Sequence, residues 1–232
     1  MMAGLNDAAL LFDLDGTLVD TAPDLAGTMN DLMAKLQLPA IPIHEVRHLV
    51  GHGARYLIEH ALAFHDRTAT SAEIDKMFAA FLDIYAARIA KESRAYPAVE
   101  SVLDLLAIKG AALGVVTNKP ESLSLLLLDA LGLIPRFGAI IGYDTAPRPK
   151  PFADPILFAC ERLERPVSRA IMIGDSATDV EAARAAQIPV IVVRHGYSTK
   201  PADELGADLV IDSFSQLAVA IEALLDAPPP PP

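Results

Sequence analysis

Two aspartates that stand two residues apart, Asp13 and Asp15, are the first residues whose spacing could support chemistry. They follow a short apolar run, and Gly16 and Thr17 come directly after them. Such carboxylates can act as a nucleophile, as a general acid and base, or as ligands of a hard divalent cation. Gly16 lets the chain turn sharply beneath a ligand, because glycine adopts backbone conformations that other residues avoid. The alternative without chemistry is a capped turn that carries a surface pair of aspartates.

An open, mostly parallel α/β sheet is the fold that would position these aspartates. Short runs with apolar residues on both faces alternate with stretches of helical periodicity, as in sheets covered on two sides. Because sites in such sheets gather at the carboxyl ends of the strands, we expect both aspartates to face one crevice. The predicted strands are residues 9–13, 113–117, 139–143, 170–174, 190–193 and 209–211, and the predicted helices between them are residues 99–108, 121–131, 156–163 and 178–187.

The segment from about residue 20 to residue 92 interrupts this alternation, because it contains only sequence of helical periodicity. Its two apolar stripes are interpreted as packing faces rather than binding surfaces. The stripes are Leu25, Met29, Leu32, Met33 and Leu36, in a helix that Pro23 opens, and Phe78, Phe81, Leu82 and Tyr85. We therefore predict a core domain at residues 1–19 and 93–227, a helical subdomain over the sheet at residues 20–92, and an extended proline tail at residues 228–232.

Charge and composition limit the class of protein. The 232 residues carry a formal charge of −11, which disfavours nucleic acid and anionic membrane surfaces as partners. Apolar residues make up 52% of the chain, enough for a sizeable core, and no apolar run approaches the roughly 18 residues of a membrane span. No signal peptide is recognised, and the single cysteine, Cys160, excludes an intrachain disulfide and is interpreted as buried packing. We expect a globular protein of the cytoplasm, either a monomer or a homodimer.

The aspartate motif and three later motifs together resemble the haloacid dehalogenase superfamily of phosphohydrolases. The first motif matches that superfamily's Asp-x-Asp-Gly-Thr loop, and the helical insert resembles its type 1 cap. The later motifs are Val115-Val116-Thr117-Asn118-Lys119, with a hydroxyl-bearing residue, Arg148-Pro149-Lys150-Pro151, with a lysine, and Ile173-Gly174-Asp175-Ser176-Ala177-Thr178-Asp179, which is acidic. The resemblance spans residues 9–212 and implies a doubly wound, Rossmann-like core with an inserted α-helical cap.

The resemblance implies a Mg²⁺-dependent phosphomonoester hydrolase. Asp13 would be the nucleophile that forms an aspartyl-phosphate, and Asp15 would protonate the leaving oxygen and then activate water. A phosphate dianion repels a carboxylate, so a cation must neutralise it, and oxygen-rich strand ends suit Mg²⁺. Asp13, Asp175 and the main-chain carbonyl of Asp15 would bind Mg²⁺. Asp179 would support Mg²⁺-bound water or Lys150, or would be only a charge at a helix N-terminus.

Three further residues would contact the substrate phosphate. Thr117 would donate its hydroxyl and the Asn118 amide its N–H to phosphoryl oxygens, while Lys150 would neutralise the anion and hold the nucleophile in place. Lys119 and Arg148 are interpreted as solvated charges without a catalytic role.

Within the superfamily, the chain most resembles the phosphoglycolate phosphatases, which favours 2-phosphoglycolate among small phosphorylated metabolites. The resemblance rests on residues 18–24, 50–54, 116–120 and 144–151. In the cap turn Val50-Gly51-His52-Gly53-Ala54, a main-chain N–H near Gly51 and Gly53, or the Arg47 side chain, would meet a substrate carboxylate. The alternative for Arg47 is a plain surface cation.

Other functions remain open at this point. A sugar-phosphate phosphatase, a pyrophosphatase or a phosphosugar mutase would use the same core residues, because specificity lies in the cap. A dehalogenase would not need Asp15, and a receiver-like signalling domain would carry its acceptor aspartate on the third strand rather than the first. A non-catalytic binding module is disfavoured because each catalytic position is intact. His44-Glu45-Val46-Arg47-His48 matches a zinc-protease pattern, but Ala54 stands where the third histidine belongs, so we interpret it as a polar helix face.

Overall fold

The computed structural model describes residues 5–51 and 53–226, and it confirms the predicted α/β fold. The predicted proline tail and His52 lie outside the described residues. The described strands are β1 (Ala9–Phe12), β2 (Val19–Asp20), β3 (Arg94–Ala95), β4 (Ala112–Val116), β5 (Ala139–Ile141), β6 (Ala170–Gly174), β7 (Val190–Val193) and β8 (Leu209–Ile211).

Six of these strands form one parallel sheet in the order β5-β4-β1-β6-β7-β8. In this sheet β4 and then β5 lie on one side of β1, and β6, β7 and β8 follow one another on its other side. Strand β1 is therefore the point at which the strand order reverses, where open α/β sheets form their binding crevice. The predicted strands β6, β7 and β8 match in both bounds, whereas β1, β4 and β5 end one or two residues earlier than predicted.

Two apolar cores lie on the two faces of this sheet, because side chains of a strand alternate between its faces. Leu10 and Phe12 of β1 belong to one core, and Ala9 and Leu11 belong to the other. The described helices are α1 (Ala22–Lys35), α2 (Ile43–Arg47), α3 (Ala54–Phe64), α4 (Ser71–Ala87), α5 (Val99–Ile108), α6 (Glu121–Ala130), α7 (Asp154–Arg162), α8 (Ala177–Ala185) and α9 (Leu217–Asp226). Helices α5 and α6 contribute to the first core and α7 and α8 to the second, which makes the core doubly wound.

Helices α1 to α4 lie between β2 and β3, which pair as an antiparallel ribbon. Pro23 stands in the first turn of α1, where its missing N–H is harmless, and α4 begins with a capping box between Thr70 and Glu73. Helix α1 packs against α2 and α4, and α3 packs against α4. We call residues 21–93 the helical insert. That it forms a separate cap domain stays a prediction.

Buried polar contacts join the two ends of the helical insert to each other and to the core. The Asp24 carboxylate is fully buried and accepts hydrogen bonds from the main-chain N–H of Glu92 and of Ser93, at 2.9 and 2.8 Å. The Tyr197 hydroxyl accepts a hydrogen bond from the main-chain N–H of Thr21 at 2.7 Å. Asp24 Oδ2 thus holds the C-terminal end of the insert, and Tyr197 holds its N-terminal end.

Two expectations about individual apolar residues have opposite outcomes. Leu36 was predicted to share the buried face of α1, and this is wrong: α1 ends at Lys35 and Leu36 is 39% exposed. The physical reason is that the chain leaves the helix there, since Gln37 has a positive φ of 58°. Cys160 is buried as predicted, and burial raises the pKa of its thiol to about 11.

In the described part of the chain, every helix is too short or too polar to cross a bilayer.

Candidate active site

The carboxyl ends of β1, β4 and β6 bring the predicted site residues together in one crevice. Asp13 follows β1, Thr117 follows β4 and Asp175 follows β6, while Lys150 comes from the loop between β5 and α7. The crevice forms a pocket whose opposite wall belongs to the helical insert, and the wall includes Gly51, Gly53, Leu57, Phe81 and Tyr85. The core therefore contributes the polar groups and the insert contributes a mostly apolar wall.

A cluster of buried carboxylates surrounds one lysine at the floor of the pocket. Oxygens of Asp13, Asp175 and Asp179 lie within 4.8 Å of one another. The Lys150 Nζ lies 2.8 Å from Asp13 Oδ1 and 2.6 Å from Asp179 Oδ1. Three buried carboxylates thus lie together, and the single ammonium contacts two of them.

The pKa values in this cluster reflect burial together with the repulsion between neighbouring carboxylates. Burial, together with the nearby Asp179 and Asp15 carboxylates, raises the pKa of Asp13 to about 6, although Lys150 pulls it down. Burial and the neighbouring carboxylates raise the pKa of Asp175 well above its usual range. Burial alone would lower the pKa of Lys150, but Asp13 and Asp179 outweigh burial and raise it, so Lys150 stays charged. A divalent cation would relieve the repulsion, and oxygen ligands are those a hard cation prefers, so the cluster can hold a metal ion.

Asp175 is fixed by two hydrogen bonds and by glycines that let it approach the turn after β1. Its Oδ1 accepts a hydrogen bond from the Thr17 hydroxyl at 2.9 Å, and its Oδ2 accepts one from the Tyr197 main-chain N–H at 2.7 Å. Gly16 has a φ of +88°, and a Cβ at that position would lie 2.7 Å from Asp175 Oδ2. Glycine at position 16 is therefore required both by the backbone conformation and by the space that Asp175 occupies.

Asp179 combines two roles that were predicted as alternatives. Its Oδ2 accepts hydrogen bonds from the main-chain N–H of Ser176 at 3.0 Å and from the Ser176 hydroxyl at 2.7 Å, in a capping box at the start of α8. Its Oδ1 accepts the short hydrogen bond from Lys150. Both oxygens are thus engaged, one by Lys150 and the other at the start of α8.

Lys119 was predicted to be a solvated charge, and this is wrong. Lys119 is only 6% exposed, and its Nζ lies 2.9 Å from both oxygens of Asp15 and 2.8 Å from the Tyr85 hydroxyl. Burial alone would lower the pKa of Lys119, but Asp15 and Tyr85 outweigh it and raise the pKa. The sequence held a signal for this position, since Lys119 stands two residues after Thr117, just as Asp15 stands two residues after Asp13.

The stripe of α4 was interpreted as packing alone, and this is wrong for three of its members. Phe81, Leu82 and Tyr85 line the pocket, although Phe81 and Tyr85 are also buried. No local feature of the sequence distinguishes a helical stripe that packs from one that also faces a site. Only the position of α4 over the sheet does so.

Thr117 and Asn118 line the pocket beside Lys150. The Asn118 side-chain amide donates a hydrogen bond to the main-chain carbonyl of Lys150 at 3.1 Å, which ties the Lys150 loop to the end of β4. Their predicted contacts with phosphoryl oxygens stay predictions.

The residues predicted in the helical insert divide into two groups. Gly51 and Gly53 line the pocket, with φ values of +98° and +92° that glycine accommodates readily. Arg47 does not line it: its guanidinium lies 3.7 Å from Asp20 Oδ2 and 5.0 Å from the centre of the Tyr197 ring. The structure therefore brings the glycines to the site and leaves Arg47 at its edge.

The remaining charged motifs behave as surface features. Arg148 is exposed and pairs with Asp154, which confirms the predicted solvated charge. His44 is 70% exposed on α2 beside Glu45. Over residues 5–51 and 53–226, the group able to hold a metal is the aspartate cluster, and neither His44 nor His48 belongs to it.

Comparison with known proteins identifies related sequences over nearly the whole chain. The family model described as haloacid dehalogenase-like hydrolase matches residues 10–193. A phosphoglycolate phosphatase of Caulobacter vibrioides is 46% identical over 227 residues, covering 98% of this chain and 96% of that protein. A phosphoglycolate phosphatase of Agrobacterium fabrum is 43% identical and covers 91% of each chain.

Solved structures agree with these sequence relatives. A protein described as a predicted phosphoglycolate phosphatase from Haemophilus somnus superposes with a TM-score of 0.86 at 29% identity, over 93% of this chain and 98% of that one. CbbY from Rhodobacter sphaeroides, solved in complex with phosphate, superposes with a TM-score of 0.79 at 26% identity, over 93% and 99% of the two chains.

Proposed function

The chain belongs to the haloacid dehalogenase-like hydrolase family, and we propose that this phosphatase hydrolyses 2-phosphoglycolate to glycolate and inorganic phosphate. The observation that carries the proposal is the buried cluster of Asp13, Asp175, Asp179 and Lys150 at the end of β1. Its carboxylate-rich floor is suited to phosphoryl transfer, because a cation and a lysine there can neutralise a phosphate dianion. The names of the relatives support 2-phosphoglycolate as the substrate.

Mg²⁺ is the cation that we propose for the site. Asp13 and Asp175 would hold it with the main-chain carbonyl of Asp15. Each Asp175 oxygen accepts one hydrogen bond from a neutral donor, whereas Asp179 Oδ1 pairs with the Lys150 ammonium and Asp179 Oδ2 accepts three hydrogen bonds. The hard oxygen ligands favour Mg²⁺ over softer metals. When bound, the cation would withdraw charge from the phosphoryl group and so make it more electrophilic.

In the first step, a carboxylate oxygen of Asp13 attacks phosphorus, and the bond between phosphorus and the glycolate oxygen breaks. Asp15, protonated at this stage, donates its proton to the departing oxygen, so this oxygen leaves as the neutral hydroxyl group of glycolate. Lys150 holds Asp13 in position through a 2.8 Å contact. Thr117 and the Asn118 main-chain N–H would hold the phosphoryl oxygens. The product is an aspartyl-phosphate on Asp13.

In the second step, a water molecule attacks the phosphorus of the aspartyl-phosphate, and the bond from phosphorus to the Asp13 oxygen breaks. Asp15, now ionised, takes a proton from that water, which restores its starting protonation state. Inorganic phosphate then leaves, and Asp13 and Asp15 are back in their starting states.

Selectivity for a carboxylated substrate would come from the helical insert. Main-chain N–H groups near Gly51 and Gly53, at the start of α3, are candidates to meet a substrate carboxylate, since helix N-termini favour anions. We favour them over Arg47, which is engaged with Asp20 and Tyr197. If this is correct, an Arg47→Ala variant changes KM by the same factor for 2-phosphoglycolate and for sugar phosphates. A larger rise for carboxylated substrates would return Arg47 to the recognition site.

The proposal also includes the cytoplasm as the compartment and a small phosphorylated metabolite as the partner. The charge of −11 disfavours nucleic acid and anionic membranes, and a single buried cysteine is typical of proteins in a reducing compartment. A monomer and a homodimer are both compatible with this chemistry.

The test is phosphate release from a panel of 2-phosphoglycolate, sugar phosphates, nucleotides, pyrophosphate and p-nitrophenyl phosphate, each with and without Mg²⁺. We expect a Mg²⁺-dependent preference of at least tenfold in kcat/KM for 2-phosphoglycolate, about 1.4 kcal/mol of transition-state binding. A preference for sugar phosphates would overturn the substrate but not the chemistry. No Mg²⁺-dependent release from any phosphomonoester would overturn both.

A further inference from the structure

A buried lysine and a tyrosine of the helical insert together hold the Asp15 carboxylate. Lys119 Nζ lies 2.9 Å from each Asp15 oxygen, so the ammonium straddles the carboxylate symmetrically. The third contact of the ammonium is the Tyr85 hydroxyl at 2.8 Å. Lys119 and Asp15 belong to the core, 104 residues apart, whereas Tyr85 belongs to α4 of the insert.

These contacts use the full hydrogen-bonding capacity of the lysine. An ammonium has three N–H donors and no acceptor, and the two Asp15 oxygens and the Tyr85 hydroxyl take all three. Although Lys119 lines the pocket, it has no donor left for a substrate. Its contacts therefore point to the orientation of Asp15 rather than to substrate binding.

The packing around the lysine also restricts its motion. The ammonium lies 4.4 Å from the centre of the Tyr85 ring, close enough for a cation–π interaction. The Tyr85 ring is 1% exposed and stacks on Phe81 at 6.2 Å between ring centres. A side chain held on several sides keeps its partner in one place, and displacement of a reacting group by 1 Å can cost about 100-fold in rate.

We propose that Lys119 and Tyr85 are positioning residues that aim the Asp15 carboxylate at the leaving oxygen, so that the helical insert completes the acid–base machinery of the core. The inference rests on the proposed function, in which Asp15 transfers the proton. It assigns Lys119 a role in the reaction without contact to the substrate, and it gives α4 a role beyond enclosing the pocket.

The leaving group provides the test. Glycolate is a poor leaving group that needs a proton, whereas p-nitrophenolate departs without one. Both are cleaved before the common aspartyl-phosphate is hydrolysed, so kcat/KM reports the step in which they differ. We expect Lys119→Met to lower kcat/KM for 2-phosphoglycolate by about 100-fold and for p-nitrophenyl phosphate by less than about fivefold. Tyr85→Phe, which keeps the ring and removes one hydrogen bond, is expected to lower only the first value, by roughly fivefold.

Equal losses with the two substrates, or no loss with either, would overturn the inference. Lys119→Met leaves a buried carboxylate unpaired and can fail to fold. In that case Tyr85→Phe alone decides, by the loss of kcat/KM for 2-phosphoglycolate relative to the loss for p-nitrophenyl phosphate. Matched controls are Lys76→Met, on the exposed surface of α4, and Tyr143→Phe, at a residue that is 38% exposed. Failure of the proposed function is seen separately in the unmodified protein. If its best substrate is another alkyl phosphate, that compound replaces 2-phosphoglycolate in the comparison.

Discussion

Replacing Lys150 with methionine should destabilise the metal-free protein, because it leaves buried carboxylates without their counter-ion. Lys150 is 4% exposed and contacts both Asp13 and Asp179. Removing one partner of a buried ion pair costs about 3–5 kcal/mol. For a chain of this size, each kcal/mol lowers Tm by about 2–4 °C, so at pH 8 we expect a fall of about 6–20 °C.

The loss should depend on pH in a defined direction. Burial raises the pKa of Asp13 to about 6 even with Lys150 beside it, so without Lys150 that pKa lies higher still. Above this pKa the variant holds an unpaired carboxylate, and below it Asp13 is protonated and needs no counter-ion. Lys150 itself does not titrate in this range, since its pKa is raised. The destabilisation is therefore largest at pH 8 and becomes smaller as the pH falls through 6 to 5.

Thermal unfolding followed by circular dichroism, with a chelator present at pH 5, 6 and 8, measures the effect. Lys91→Met is the matched control, because Lys91 is exposed and lies outside the pocket. A loss below about 1 kcal/mol, or a loss equal at pH 5 and pH 8, would refute the electrostatic account of the cluster.

Three further predictions concern the same crevice. Asp13→Asn should abolish phosphate release in the substrate panel while its circular dichroism spectrum stays unchanged, and retained turnover would exclude Asp13 as the nucleophile. Asp13, with a pKa of about 6, must lose its proton to bind a cation, and the pKa of Asp175 is raised as well. Mg²⁺ affinity measured by calorimetry should therefore fall at least about tenfold from pH 7 to pH 5, and a constant affinity would contradict this. Gly16→Ala places a Cβ 2.7 Å from Asp175 Oδ2 at a φ of +88°, so Tm and activity should both fall, and an unchanged Tm would show that the turn can relax.

The core and the floor of the site were predictable because the sequence patterns that indicate them are local. The strands alternate with helices along the chain, and Asp13 and Asp175 each come directly after a strand. Strands of a parallel sheet end at one edge, so residues distant in sequence meet there without any knowledge of packing. The lysine of the third motif was found by resemblance, and its contact with Asp13 follows from the same geometry.

The contacts between the core and the helical insert at the site were not predictable, because they depend on where the insert lies. A lysine in a loop is predicted to be solvated unless a partner is known. The partners of Lys119 are 104 and 34 residues away in the sequence, so the local sequence does not reveal them. Likewise, Tyr85 has the same helical spacing as residues that only pack. The strands β2 and β3 have two residues each, which is too short for any periodicity to show.

The ribbon of β2 and β3 has a consequence for how such an enzyme can be altered. The insert leaves the core at Asp20 and returns at Arg94, which pair directly, so the chain departs and arrives at one point. A graft of a different helical segment onto this ribbon would leave the register of the parallel sheet untouched, and with it the aspartate cluster. If the insert sets selectivity, as proposed, such a graft would exchange it, and the new segment would need a hydroxyl in the place of Tyr85 to contact Lys119. With a segment that lacks this hydroxyl, Asp13 would stay in place but Asp15 would be poorly oriented.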